Sequence, residues 1–493
     1  MLQAHKQIPQ VWKRLRFTAP LYTHEVQTSM HESTATLSDG PKTAVSPSFG
    51  LRAGTLSPLE TLAQSVSTIA PSTSPTLTVP LVFALAGDGT CLAYALALGL
   101  IVLVALCVAR FARESASPGS LYEYTRGSLP PAFAALTAWA LFFAYAMTAA
   151  SVIGGFLNYA YVFLGPLGRY IPAALLASGS AAVATWVAYR DIKISARLML
   201  WIETISVVLI ACVVALTLIS HGLHFDRAQF DLHHISLGGL RLGGMLAIFS
   251  FVGFESATTL GAEAREPLRT IPRAVIGSAL LAGVFFLVCS YGEVLGFRGA
   301  PTSLATSNAP MRYLASRAGI STAGVIIDAG VLVSMFAATL ACVIAASRVL
   351  LLMAHNGLAH GRLRQTHRHN QTPAAASVVA GLAALLPALG LVARGVSGAD
   401  IYGWMGTLAV FGFLTAYVLA TAALALHLRR SGRLTVGAAT LTVSAVIAMM
   451  VALVANVYPI PEAPYRYFPY VYLAYLVMAA LVCHRGLRKF DRI

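Results

Sequence analysis

Gly253-Phe254-Glu255-Ser256, followed by Thr258 and Thr259, sets a flexible backbone position beside a carboxylate inside an apolar run. The run before it, Gly243 to Phe251, reaches only about halfway across a bilayer at ~1.5 Å per residue. Glu255 therefore falls where the hydrocarbon midplane should lie. A carboxylate there is costly, so it normally faces protein or a water-filled cavity and is read first as functional. An apolar segment broken at mid-depth also frees backbone N–H and C=O groups, which discontinuous membrane helices use to hold a solute. Gly253–Ser256 reads as the floor of such a site.

A second interruption lies far upstream. Ser57-Pro58-Leu59-Glu60 has the form of a helix start, with serine capping and proline at the first helical position. Hydroxyl residues then run through Ala70-Pro71-Ser72-Thr73-Ser74-Pro75 before apolar residues resume to Ala86. Two prolines four apart remove donors and break the ladder. The alternative is a single proline kink repaired by Ser and Thr side chains.

These breaks need elements to hold them, and the composition supplies membrane helices. Of 493 residues, 57% are hydrophobic and 11% charged. Charged loops divide the chain into twelve apolar stretches, near 57–86, 91–111, 129–164, 170–189, 194–219, 242–263, 272–297, 319–354, 374–393, 400–427, 435–457 and 467–485. Most reach the ~20 residues that a spanning helix needs. The expected fold is an all-α polytopic membrane protein with twelve transmembrane helices. The net charge of +15 is not a nucleic-acid signal: counted from a cytoplasmic N-terminus, 26 of the 34 Lys and Arg residues fall in inside segments. By the positive-inside rule both termini are cytoplasmic.

Spans 1 and 6 carry the breaks, which is the spacing expected if spans 1–5 (55–220) and spans 6–10 (241–430) form a 5+5 inverted repeat. Residues 431–493 then hold two extra spans and a short cytosolic C-terminus. Residues 1–54 are polar and aperiodic, and are expected to be a disordered cytosolic tail. The six cysteines lack metal-ligand spacing and read as small apolar fillers. His221, His224, His233 and His234 read as a solvated loop. No metal site, catalytic cluster or cofactor is expected.

Phe249 to Ser256, followed by Glu263, Pro267, Arg269 and Ile271-Pro272-Arg273-Ala274, resembles span 6 and its inner loop in the amino acid–polyamine–organocation (APC) superfamily of permeases. Ser347-Arg348, Met353, Asn356-Gly357-Leu358 and Thr372-Pro373 resemble that family's loop after span 8, and Ser195-Ala196-Arg197 the start of its span 5. The resemblance runs from about Ser57 to the C-terminus and implies transport of an amino acid or related amine across the cytoplasmic membrane. Two positions depart from the pattern. The glycine-rich break of span 1 is replaced by Ala70–Pro75, which bears on substrate. Ser206 stands where some proton-coupled members carry lysine, which bears on coupling.

A free amino acid offers a carboxylate and an ammonium. The inner half of span 1 is expected to end near Ile69–Ala70. Its outer half would start near Ser74, presenting N–H groups and the positive end of the helix dipole to the carboxylate. Ser72, Thr73 and Ser74 would add hydroxyl donors. The first half of span 6 would end near Val252–Gly253, its carbonyls suiting the ammonium. The solute's side chain would lie towards Phe254, Tyr145 of span 3 and span 10. Glu255 is a candidate cation ligand, proton carrier or gate bonded to span 1, with passive hydrogen bonding as the structural alternative. Glu203 and Asp328 read as structural, Glu203 lying close enough to the inside surface to reach a loop arginine. Glu263, Arg265, Glu266 and Arg269 form either an inner ion-pair seal or a solvated loop; Glu255, Ser206, Glu263 and Arg265 are the gating and coupling candidates.

The expected function is a secondary active transporter working by alternating access, as symporter or exchanger, with a proton or sodium ion as coupling species. Its partners are a small-molecule substrate and the lipid bilayer, with no nucleic acid. The alternatives are a non-transporting nutrient sensor of the same fold and a membrane enzyme. A sensor would signal through the 1–54 tail; an enzyme would need converging catalytic groups that the sequence lacks.

Overall fold

The first helix begins as its sequence encodes. Ser57 Oγ accepts from the Glu60 N–H at 3.3 Å, Glu60 Oε2 accepts from the Ser57 N–H at 2.8 Å, and Pro58 takes the first helical position. This reciprocal cap satisfies two donors that a helix start otherwise leaves orphaned. The computed structural model describes residues 49–51, 53–190, 194–222, 225–233 and 235–490. The tail expected over 1–54 therefore lies almost wholly outside the described residues, as do His224 and His234.

Helices follow in order: α1 (Pro58–Ile69), a π-type turn (Ser74–Thr78) leading into α2 (Val79–Ala86), then α3 (Thr90–Ala112) and a short α4 (Leu121–Arg126). Next come α5 (Pro131–Leu164), α6 (Ala173–Arg190), α7 (Ile194–Ser220) and α8 (Leu237–Phe249). After an irregular stretch and a 3₁₀ turn (Ser256–Leu260) the chain continues as α9 (Pro267–Gly296), α10 (Pro310–Arg317), α11 (Ser321–His355), α12 (Ala374–Val392), α13 (Gly398–Arg430), α14 (Val436–Val457) and α15 (Phe468–Phe490). Each of the twelve expected apolar stretches contains helix, the sixth (242–263) only to Phe249 and as a 3₁₀ turn at Ser256–Leu260; α4 and α10 are short additions in loops.

Among the described residues, nine helical stretches are long and apolar enough to cross a bilayer. The first, 58–112, has 55 residues, more than twice the ~20 of one crossing, and breaks after Ile69 and again at Gly87–Gly89. α8 is apolar but too short to cross alone, having 13 residues. Burial sorts the helices. α5 is buried along nearly all its apolar length and packs most extensively on α13 and α11, whereas α14 and α15 are largely exposed. Leu281, Val284, Leu386, Val451, Leu473 and Leu481 point outward. So large an exposed apolar surface is unstable in water and belongs in lipid. The chain is an all-α multi-pass membrane protein.

α5 and α13 approach closely because Gly412 has no side chain: a Cβ there would lie 2.6 Å from the Ala140 carbonyl oxygen. Small residues at such contacts let membrane helices pack backbone to backbone. At one face, the segment before α1 pairs with the segment after the 3₁₀ turn, through Leu56 N–H to Glu263 O at 2.9 Å and Arg265 N–H to Leu56 O at 2.8 Å. Beside this pairing Arg348 of α11 donates to both carboxylate oxygens of Glu263, at 2.6 and 2.8 Å, with both side chains buried. The opposite face is tied by Arg298, which meets Asp88 at 2.8 Å and Asp226 at 2.9 Å.

Removing one member of a buried bidentate pair strands the other charge, at a cost of about 3–5 kcal/mol. Arg348→Ala should therefore lower the thermal unfolding temperature in detergent clearly more than the double variant Arg348→Ala with Glu263→Ala does. Equal losses would show that the pair contributes little.

Candidate functional site

The break in span 1 follows from its prolines. Pro71 has no N–H, and the Ser72 N–H is turned aside, so the carbonyls of Ser67 and Thr68 lose their helical donors. Ala70 ends α1 in the left-handed region at φ 48, unusual for a residue with a side chain. Helical winding resumes at Ser74 as the π-type turn. The expected ends, Ile69–Ala70 and Ser74, are where the backbone changes.

The break in span 6 starts earlier than expected. α8 stops at Phe249, and the N–H of Phe254 bonds to Phe251 O while that of Ser256 bonds to Gly253 O. The donors that would reach the Ser250 and Val252 carbonyls in a helix are thus spent elsewhere. Gly253 has φ 99, and a Cβ there would sit 2.3 Å from the Thr68 methyl group. Glycine is required twice over, by the backbone conformation and by the close approach of span 1.

The two breaks lie side by side and are stitched by hydroxyls. Ser65 Oγ donates to Phe254 O at 2.8 Å, Ser256 Oγ donates to Thr68 Oγ1 at 2.9 Å, and the Ala257 N–H donates to Ser65 Oγ at 3.2 Å. Ile69, Ala70, Ser72, Thr73, Ser74, Val252, Gly253, Phe254 and Glu255 are all buried, so the crossing is closed to water in this conformation.

Glu255 is held differently from the gate bonded to span 1. Its Oε1 accepts from the Tyr145 hydroxyl at 2.8 Å, and its Oε2 accepts from the Tyr417 hydroxyl at 2.7 Å and from the Gly253 N–H at 3.2 Å. The carboxylate joins the span-6 break to α5 and α13, while Ser65, Thr68 and Ser256 link span 6 to span 1. Tyr145, expected to face the solute's side chain, instead anchors Glu255. Tyr417 was not singled out in the sequence. Its signal was faint: a tyrosine well inside an apolar span, a residue whose hydroxyl needs a partner when buried.

Glu203 has the structural role expected of it, with a different partner. Rather than pairing with a loop arginine, its carboxylate accepts from the Ser72 N–H at 2.7 Å and from Ser72 Oγ at 3.2 Å. It sits where span 1 is interrupted and takes a donor assigned above to a solute. The hydroxyls are also engaged: Thr73 Oγ1 donates to Ala70 O at 2.7 Å, and of the three only Ser74 Oγ, among the described residues, has no partner.

The remaining candidates lie apart from the crossing. Ser206 donates to the Ile202 carbonyl of its own helix at 3.0 Å and packs against Gly330 of α11. Glu263 pairs with Arg348 and not with Arg265, whose Nε donates to the Gly54 carbonyl at 3.2 Å. Glu266 and Arg269 make an exposed contact at 3.7 Å, and Asp328 is bound to Arg312 of α10. Among the described residues no group of three or more His, Cys, Asp or Glu could hold a metal ion.

The pattern of the amino acid permease family matches residues 68–489, from the end of α1 through α15. The chain belongs to this family. A branched-chain amino acid permease of Bacillus subtilis is 26% identical over 324 residues, covering 62% of this chain and 68% of that protein. An uncharacterised transporter of Mycobacterium tuberculosis is 30% identical over 342 residues, 68% of this chain and 72% of its own. The human cationic amino acid transporter 4 is 26% identical over 317 residues, 60% of this chain and 49% of its own. This amino acid permease is thus a transport protein with a small-molecule substrate.

Tyr145→Phe and Tyr417→Phe each keep the ring but remove a donor from a buried carboxylate, costing about 1–3 kcal/mol. Both should lower the thermal unfolding temperature of the purified protein. An unchanged temperature for both would mean that Glu255 is not held by these hydroxyls.

Proposed function

We propose that the permease moves an amino acid, or a related amine, across the cytoplasmic membrane by alternating access, as a symporter or exchanger, with both termini in the cytoplasm. The observation that carries this reading is the side-by-side crossing of two interrupted helices inside one apolar bundle, each with backbone groups released from its ladder. The N–H end of the outer half of span 1, around Ser72–Ser74, suits a carboxylate. The Ser250 and Val252 carbonyls suit an ammonium. A solute carboxylate competes with Glu203 for the Ser72 N–H, so binding rearranges α7 against span 1.

The twelve apolar stretches are taken as twelve crossings, with 55–220 and 241–430 as inverted repeats. Two facts support this: the breaks fall in the first and sixth stretch, and they meet. The basic loops favour cytoplasmic termini. Relatives named for branched-chain and cationic amino acids support the substrate class, and a proton or sodium ion is the expected coupling species.

Counterflow tests the reading. Vesicles containing the purified full-length protein and loaded with unlabelled L-leucine, L-arginine or another amino acid should take up the same labelled solute. Gly253→Val, which must displace Thr68, should cut that exchange by about tenfold or more, an effect worth about 1.4 kcal/mol. If no amino acid or amine in a broad panel exchanges, the reading fails.

A further inference from the structure

Three glutamates lie buried near the crossing, and the protein treats them differently. Glu255 receives donors from Tyr145, Tyr417 and the Gly253 N–H, and Glu203 from Ser72. Glu293, on α9, is fully buried, and among the described residues neither of its oxygens has a hydrogen-bond partner. An ionised carboxylate left so would cost several kcal/mol even after relaxation, so a group in this setting keeps its proton.

Among the described residues the surroundings supply no counter-charge. Tyr94 of α3, Cys289 one turn back on α9 and Tyr159 of α5 are the titratable groups near enough to feel its charge. α7 and α10 meet this stretch of α9 through Val214, Thr217 and Leu314. α2, the π-type turn and the 3₁₀ turn carry no ionisable side chain, and α1 has only Glu60, at its capped start. Arg298 is engaged with Asp88 and Asp226, and Arg312 with Asp328.

We propose that Glu293 is the proton-binding site that couples solute movement to a proton gradient. The proposal rests on the transport reading above and adds the ion and the residue. The site fits a proton better than a metal cation. Hard cations gather about six oxygens, whereas the hydroxyls near Glu293 are already spent: Tyr94 with Ser250 at 2.9 Å, and Ser290 on the Leu287 carbonyl at 3.0 Å. A proton needs only the carboxylate. The Tyr94–Ser250 bond also supplies a link to the moving part, because Ser250 is the first residue beyond α8. When Glu293 gives its proton to water, the new carboxylate demands a donor, and the Tyr94 hydroxyl of α3 is one it can draw on. Drawing that hydroxyl away from Ser250 alters the hold on the span-6 break, so return of the empty carrier is tied to loss of the proton, whereas solute exchange proceeds with Glu293 protonated.

The test uses full-length protein in vesicles, with labelled L-leucine and L-arginine as probes and a pH-sensitive dye trapped inside. A gradient of about one pH unit supports about tenfold accumulation at one proton per solute. The wild type should accumulate solute under that gradient and acidify the lumen as it does so. Glu293→Gln, an uncharged mimic of the protonated acid, should lose gradient-driven accumulation but keep counterflow within about twofold, a difference near 0.4 kcal/mol. A glutamate buried only for packing would leave the gradient dependence of the Gln variant intact, and that result overturns the proposal. Should the Gln variant fail to fold, the wild type decides alone: accumulation driven by sodium, or without lumenal acidification, overturns it. Either failure leaves counterflow standing, whereas absent counterflow in the wild type removes the transport reading and this proposal together.

Discussion

A helix that stops within hydrocarbon leaves N–H and C=O groups that lipid cannot satisfy, so the protein must satisfy them itself. That constraint shapes the centre of this permease. Ser65, Thr68 and Ser256 stitch one break to the other, Glu203 takes the Ser72 N–H, and Glu255 takes the Gly253 N–H. Hydroxyls and carboxylates here do work that regular winding does elsewhere. The residue types that looked like solute ligands are largely those that keep two broken helices stable while the site is closed.

The same constraint separates three acids that composition treats alike. Glu255 is a structural tie between the span-6 break, α5 and α13; Glu203 accepts from Ser72 at the span-1 break; Glu293 has no hydrogen-bond donor among the described residues. What distinguishes them is the set of donors around the oxygens, and not their depth in the membrane.

Much of the framework was legible in the sequence because it rests on local chemistry. Pro71 cannot donate, Pro58 suits a first helical turn, Ser57 and Glu60 form a reciprocal cap, and long apolar runs become helices whatever they pack against. Partner choice was not legible. Ser72 and Glu203 are 131 residues apart, and Glu255 and Tyr417 are 162 apart. No period or spacing encodes such meetings; they arise from how helices pack. The pairing of Glu263 with Arg348 escaped for the same reason, since a nearer arginine, Arg265, offered an apparent partner. Glu293 escaped although it carried a readable signal, a single acid within the 30-residue α9.

The fastenings at the two faces differ in their exposure. Arg348 and Glu263 are shielded from solvent, whereas the side chain of Arg298 is 39% exposed and those of Asp88 and Asp226 are 31% and 13% exposed. Dissolved ions screen charges that water reaches and act weakly on those it does not. Raising ionic strength should therefore slacken one latch and leave its counterpart nearly untouched, tilting the balance between the two orientations of the carrier without any change in solute.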